Sequence, residues 1–252
     1  MVHSLEFGLI PESIPSVDGG CESKDCMVMI DFNQNQSAGR QKSSPRRWIE
    51  LHVRMQGARP PISRVILVPA DATFGWLHAV LQISMGWTNS HLHQFIVNGK
   101  CVSDPKSDLE PLEEGTVLDE NKVRLNELLI ESNQTFLYEY DFGDSWSHKI
   151  TVQNASTNAP VLSDRAFCLE GEGACPPEDC GGLPGYAELL RALKDKKHPE
   201  HKSMQEWLGR PFDPAHFLPE KANLWLAKLK WPKVTESALR KILMARDGYV
   251  GE

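Results

Sequence analysis

Polar and apolar residues alternate from Trp48 to Met55, which is the pattern of a β-strand that buries one face. Prolines mark a turn at residues 57–61, and the apolar run at residues 62–68 predicts the returning strand. After Thr73, a residue that can cap a first helical turn, the apolar positions recur with helical spacing. Gly86 is the expected end of that helix. This stretch therefore predicts a β-hairpin followed by a helix.

Residues 93–97 predict the next strand, and two β-rich runs at residues 135–142 and 146–152 flank a glycine-containing turn. The second pair of runs predicts another hairpin. The order hairpin, helix, strand, hairpin is typical of an α+β fold, with a mixed or antiparallel sheet and one packed helix. A helical C-terminal region should follow, with candidate helices at residues 186–196, 199–208, 219–230 and 235–246.

The two ends of the chain differ from this central domain. Residues 1–45 carry no sustained apolar period, so we predict a disordered tail there. The α+β domain is predicted at residues 46–232, and a C-terminal helix at residues 233–252. Residues 103–121 hold seven acidic residues and one lysine, which predicts a solvated loop.

Composition limits the class of protein. The chain has 252 residues, with 27 Lys and Arg against 34 Asp and Glu, and a formal net charge of −7. This acidic balance disfavours a protein whose main task is to bind along a nucleic-acid phosphate backbone. A nucleic-acid partner remains possible only at the locally basic C-terminal end. No run approaches the ~18 uncharged apolar residues of a membrane helix, so no membrane partner is expected. The six cysteines are too scattered for a disulfide scaffold, which favours a reduced, cytoplasmic compartment.

The second hairpin carries a candidate acid/base pair. A two-residue turn within residues 143–145 would place Asp141 on the same face of the sheet as His148. A partly desolvated imidazole beside a carboxylate can transfer protons, and Asp144 is the other carboxylate in reach. We therefore take Asp141, Asp144 and His148 as candidate catalytic residues. The alternative is a structural histidine that makes a local hydrogen bond in the sheet.

A pair of histidines gives a second candidate site. In a strand, His91 and His93 would project to one side, and a carboxylate from the hairpin could complete a facial metal triad. The alternative is a chance pair at this spacing. The residues that we expect to line a binding pocket are His91, His93, Tyr140, Trp146, Glu178 and Asp179.

Three thiols form a third candidate. Cys168, Cys175 and Cys180 lie within thirteen residues that are interrupted by Gly and Pro, so they could fold into a knuckle that holds zinc with one outside histidine. Their spacing is not that of a standard zinc ribbon. The alternative is three reduced cysteines in a rigid loop.

Ordered motifs between about residue 48 and about residue 230 carry a family resemblance. They are Arg59–Pro69, Leu77–His78, Met85–Trp87, His91–Phe95, Tyr138–His148, Ala174–Tyr186, His198–His201, Glu206–Gly209 and Phe212–Pro214. In this combination the chain resembles the plasmid pRiA4b ORF-3-like family, with Ser63 where the family usually has Trp. The resemblance implies the α+β fold. It covers neither the tail nor the helix after Pro232.

The resemblance leaves the function open. Members carry a label as resolvase-like proteins of mobile elements, but the activated serine and the helix-turn-helix of a serine resolvase are not found here. No nucleophile, base and oxyanion donor can be assembled from these residues, so a non-catalytic binding or accessory module is expected. The alternative is an enzyme with a His/carboxylate site, with or without a metal. A distant similarity to fungal cyclodipeptide synthases that use arginyl-tRNA makes an aminoacyl-tRNA-using transferase the example of that alternative.

Overall fold

A computed structural model describes residues 47–107, 117–157 and 165–248 of the chain. The predicted tail at residues 1–45 lies outside the described residues. The strands are β1 (Trp48–Met55), β2 (Ser63–Pro69), β3 (His93–Val97), β4 (Lys100–Ser103), β5 (Leu118–Asp119), β6 (Thr135–Tyr140), β7 (Trp146–Thr157) and β8 (Phe167–Glu172). The helices are α1 (Phe74–Met85), α2 (Leu125–Leu128), α3 (Gly182–Lys194), α4 (His201–Leu208), α5 (Pro219–Leu226) and α6 (Glu236–Arg246).

The described strands form one sheet in the order β5-β4-β3-β6-β7-β1-β2-β8. All neighbouring pairs are antiparallel except β4 and β5, which run parallel. The two predicted hairpins are present as β1–β2 and β6–β7, and they meet where β7 pairs with β1. The predicted α+β class with a mixed sheet is therefore confirmed.

Helix α1 lies at the centre of the structure. All twelve of its residues are buried, because the sheet covers one side and the C-terminal helices cover another. Its limits follow the predicted signals, since the Thr73 side chain accepts from the Trp76 amide and Gly86 ends the helix at φ 109°. The Trp76 indole N–H donates to the Lys230 carbonyl at 3.2 Å, which ties α1 to the chain after α5.

The last helix, α6, docks on the same core. Leu239 and Leu243 are buried, and the Thr235 hydroxyl caps the first turn as its sequence pattern predicts. Near its end, Arg246 donates to the carbonyls of Gln82 and Trp87 at the C-terminal end of α1. Within the three described ranges, no helix has the length and apolar character needed to cross a membrane.

The turn between β6 and β7 differs from the prediction. Tyr138 lies opposite His148 and Glu139 opposite Ser147, so the loop has five residues, 141–145, rather than two. The predicted placement of Asp141 on the face of His148 is therefore wrong. Asp141 leaves the strand at φ 58°, and its Oδ1 accepts the amides that follow it in the turn, which a short polar side chain can do locally.

Candidate functional site

A cleft of about 510 Å³ opens between α1, the residues that precede β3, and the start of α6. His78, His93 and Glu120 line it from three different elements and are almost fully buried. His91 and Leu239 also line it. We call this space the Glu120 cleft.

Glu120 and His93 form a buried pair, with Glu120 Oε2 at 2.7 Å from His93 Nε2. Burial raises the pKa of the Glu120 carboxyl from 4.5 to about 7, and it lowers the pKa of the His93 imidazole to about 3. Both directions favour the uncharged pair, in which the carboxylic acid donates its proton to the imidazole nitrogen. Below about pH 7 the pair therefore holds one proton, on the Glu120 carboxyl.

A closed ring of hydrogen bonds fixes the neighbouring His78. The backbone N–H of Asn89 donates to Gln82 Oε1, and Gln82 Nε2 donates to the Tyr138 hydroxyl at 3.0 Å. The Tyr138 hydroxyl in turn donates to Nδ1 of His78. Nε2 of the same imidazole donates to Asn89 Oδ1 at 2.6 Å. Burial lowers the pKa of His78 to about 3, in keeping with this neutral tautomer. The imidazole of His78, which is fixed in this way, stacks on the imidazole of His93 with ring centroids 3.4 Å apart and holds it in place.

The charges around Glu120 are unbalanced. The cleft lining carries the carboxyl groups of Asp104, Glu120 and Glu236 against the ammonium of Lys106. In the described part of the chain, no lysine or arginine forms an ion pair with Glu120. Beyond burial, His78 lowers the pKa of Glu120, whereas Asp104 and the adjacent Asp119 raise it. The carboxyl thus lies in a polar cavity and has no cationic partner among the described residues.

Three predicted site residues meet at the edge of this cleft. His91 Nε2 lies 3.2 Å from Asp179 Oδ1 and 3.7 Å from Asp141 Oδ2. His91 precedes β3 and Asp141 follows the paired strand β6, so the β3–β6 ladder brings them together. The Asp141 amide donates to the Leu92 carbonyl at 2.9 Å and extends that ladder by one step.

Other predicted residues position the loop that carries Asp179. Glu178 accepts from the amide and hydroxyl of Thr88 and from the Tyr140 hydroxyl. Asp144 Oδ2 accepts from the Gly181 amide on the other side. Tyr140, Asp144 and Glu178 therefore act here as supports of the loop, through contacts that sequence spacing does not reveal.

His148 and Trp146 lie in the core and do not line the Glu120 cleft. His148 is fully buried, and its Nδ1 is 3.2 Å from the Tyr138 carbonyl oxygen. Burial lowers its pKa to about 4, so the imidazole is neutral. Among the ion pairs of the described residues, none joins His148 to a carboxylate. The structure does not bring His148 together with Asp141.

The three cysteines are free thiols. Cys168 is buried on β8 and donates to the Glu170 carbonyl, while Cys175 and Cys180 are partly exposed. Burial raises the pKa of Cys168 to about 11 and that of Cys180 to about 12, and it raises that of Cys175 further. Of the described residues, the groups with three ligand atoms within 4.8 Å of one another do not include these thiols. Zinc binding by the cysteines stays a prediction.

Sequence reasoning missed Glu120 and His78. Glu120 falls in the acid-rich stretch predicted to be a solvated loop, but the residue is only 6% exposed, so that prediction is wrong for this residue. His78 lies in a helix whose residues are mostly apolar, and a polar residue in such a helix is a signal that could have marked it. The pairing of these residues with His93 depends on tertiary contacts.

Comparisons with known proteins agree with the motifs. The family model described as Plasmid pRiA4b ORF-3-like protein matches residues 47–221. An uncharacterized protein, y4hQ, of Sinorhizobium fredii is 36% identical over 162 residues, which are 64% of this chain and 80% of the relative. A crystal structure of a protein of unknown function, MM3350, from Methanosarcina mazei Go1 is similar at 33% identity and a TM-score of 0.60. That match covers 70% of this chain and 98% of the solved one. These relatives lend no support to the enzyme alternative.

Proposed function

This chain belongs to the plasmid pRiA4b ORF-3-like family, and we propose that it is a binding module for a small cationic molecule. The ligand occupies the Glu120 cleft and places its positive group at the Glu120 carboxyl. The observation that carries the proposal is this buried carboxyl, which lines an open polar cavity and has a neutral imidazole as its partner.

The energetics of the buried acid favour such a ligand. An ionised carboxylate that is removed from water without a cation is costly, so burial keeps Glu120 protonated up to about pH 7. A guanidinium or ammonium group in the cleft would stabilise the carboxylate by direct pairing. Binding should then drive a proton off the Glu120–His93 pair.

The rest of the lining supports the same ligand class. Asp104 and Glu236 add negative charge, and Ser90 and Asn121 offer hydrogen bonds to polar parts of a ligand. The volume of about 510 Å³ falls within the range of small-molecule sites. The fixed ring of His78 leaves His93 and Glu120 little freedom, so the site is largely formed before the ligand enters.

The test uses methylguanidinium as the probe and methylurea as its uncharged counterpart. We expect NMR titration of the full chain to show that methylguanidinium shifts resonances around the cleft, whereas methylurea does not. Because binding releases a proton, affinity should fall about tenfold for each pH unit below pH 7 and level off above it. The titratable and charged groups around Glu120 and in the cleft lining are Asp104, Lys106, Asp119, His78, His91, His93 and Glu236.

A matched pair of variants makes this test specific. Glu120→Gln keeps the size of the side chain and loses its charge, so it should abolish the binding. Glu139→Gln is the control, since Glu139 lies on a neighbouring strand and contacts Gln94 outside the cleft. The proposal is overturned if Glu120→Gln binds methylguanidinium as tightly as the unaltered protein does. It is also overturned if the unaltered protein does not bind methylguanidinium at any pH.

A further inference from the structure

We propose that His91, Asp141 and Asp179 form a site for one divalent transition-metal ion at the edge of the Glu120 cleft. The inference does not depend on the cationic ligand proposed above. It rests on the geometry of three side chains from three separate segments.

The two carboxylate contacts of His91 have separations close to those of ligands around one ion. The ligand atoms of His91, Asp141 and Asp179 all lie within 4.8 Å of one another. His91 Nε2 is 3.2 Å from the Asp179 carboxylate and 3.7 Å from that of Asp141. Two ligands that are each ~2.1 Å from a metal lie about 3.0 Å apart at a right angle and about 3.4 Å apart at a tetrahedral angle. Small side-chain movements would close the set around an ion.

The two carboxylate contacts of His91 leave its ring nitrogen without a hydrogen bond. His91 Nε2 is a buried atom that makes no hydrogen bond with the described residues, although an Asp179 oxygen is only 3.2 Å away. The nitrogen and the oxygen are close without the alignment that a hydrogen bond requires. Their lone pairs are instead free to converge on a third position, which is where a metal ion would lie.

The largely buried carboxylate of Asp141 accepts hydrogen bonds from the described residues through only one of its two oxygens. Its side chain is 9% exposed. Its Oδ1 accepts the amides of Gly143 and Asp144, whereas no donor from the described residues reaches Oδ2, which faces His91. Oδ2 is therefore the oxygen of this carboxylate that can accept a cation as its partner.

The donor set indicates which ions fit. One imidazole with two carboxylates suits Zn²⁺, Mn²⁺ or Fe²⁺, and three protein ligands leave further coordination positions open. A second group of similar residues, Glu188, His198 and Glu200, lies on the surface. There the guanidinium of Arg191 already pairs with Glu188 and competes with a metal ion for that carboxylate, so the group serves as a control rather than as a site.

The experiment measures binding of Mn²⁺ and Zn²⁺ to the full chain by isothermal titration calorimetry, with electron paramagnetic resonance for Mn²⁺. Mn²⁺ prefers carboxylate oxygen and leaves the thiols of Cys168, Cys175 and Cys180 unoccupied, so it separates this site from a cysteine site. We expect one Mn²⁺ site per chain. His91→Gln and Asp179→Asn should weaken it by about tenfold or more, and His198→Gln should not change it.

These variants are chosen so that misfolding does not decide the result. Asp179 is exposed, and an asparagine tolerates its backbone φ of 58°. Glu120→Gln should leave Mn²⁺ binding intact, so failure of the cationic-ligand proposal and failure of this one are distinguishable. If neither ion binds, or if both bind equally well in His91→Gln and His198→Gln, the metal site is refuted.

Discussion

Replacing Glu120 with Gln should stabilise the protein at alkaline pH, although it removes a hydrogen-bonded side chain. Glu120 Oε2 is 2.7 Å from His93 Nε2, and the uncharged acid donates to that nitrogen. The Gln amide has the same shape and donates in the same direction. The two proteins therefore differ mainly in whether this group can ionise.

The magnitude follows from the pKa of the carboxyl in the folded chain. Burial raises that pKa from 4.5 to about 7. Since the folded state favours the protonated acid, the resulting stability is complete below pH 4.5 and is lost as the pH rises through 7. At 1.36 kcal/mol per pKa unit, the loss reaches about 3 kcal/mol above pH 7. Glu120→Gln has no such loss.

The assay is urea denaturation of the two proteins between pH 4 and pH 8.5. The free energies of unfolding should be similar near pH 4, and the variant should become the more stable protein by about 3 kcal/mol at pH 8. Contributions from other titrating groups cancel in the difference. If the difference in unfolding free energy between the two proteins stays constant over this pH range, the reasoning is refuted. Such a result would mean that Glu120 has the same pKa in the folded and the unfolded chain.

Three further substitutions test buried hydrogen bonds of the core and the loop that carries Asp179. Tyr138→Phe opens the hydrogen-bond ring at His78, so thermal or urea unfolding should show a loss of about 1–3 kcal/mol. Arg64→Met removes a buried guanidinium that donates to three backbone carbonyls, and the same assay should show a loss of about 3 kcal/mol. Gly185→Ala places a methyl group 1.8 Å from the Cys180 carbonyl oxygen, so it should displace the loop before α3. Calorimetry should then show weaker Mn²⁺ binding. Unchanged stability in either of the first two, or unchanged metal affinity in the third, would contradict these roles.

Local signals predicted much of the fold. Alternation marked β1, and the cap at Thr73 with the glycine at 86 marked both ends of α1. The helix after Thr235 also begins where its cap predicts. These features depend on short-range patterns, which a sequence records directly.

The β6–β7 turn could not be predicted in the same way. Its five residues depend on Asp141 and Ser145 both adopting positive φ, and neither residue requires that conformation. One unexpected turn length reversed the faces of a whole strand. The placement of His148 beside Asp141 failed for this reason.

The candidate site was only partly predictable. Sequence patterns indicated His91, Asp141 and Asp179 as separate candidates. Their spacing along the chain does not show that the three side chains meet, because the contacts between them depend on the folded structure. Glu120 was hidden because acidic residues in an acid-rich loop are usually solvated. Its burial results from the packing of β3, α1 and the chain after β5, which is a tertiary property.

The central claim is that Glu120 is a buried acid that ionises when a cation enters the cleft. The direct measurement is a carbon-13 NMR titration of the Glu120 carboxyl, without a ligand and with saturating methylguanidinium. The account predicts a pKa of about 7 without ligand and a lower pKa with it. A pKa near 4.5 in the free protein, or one that methylguanidinium leaves unchanged, would contradict the account.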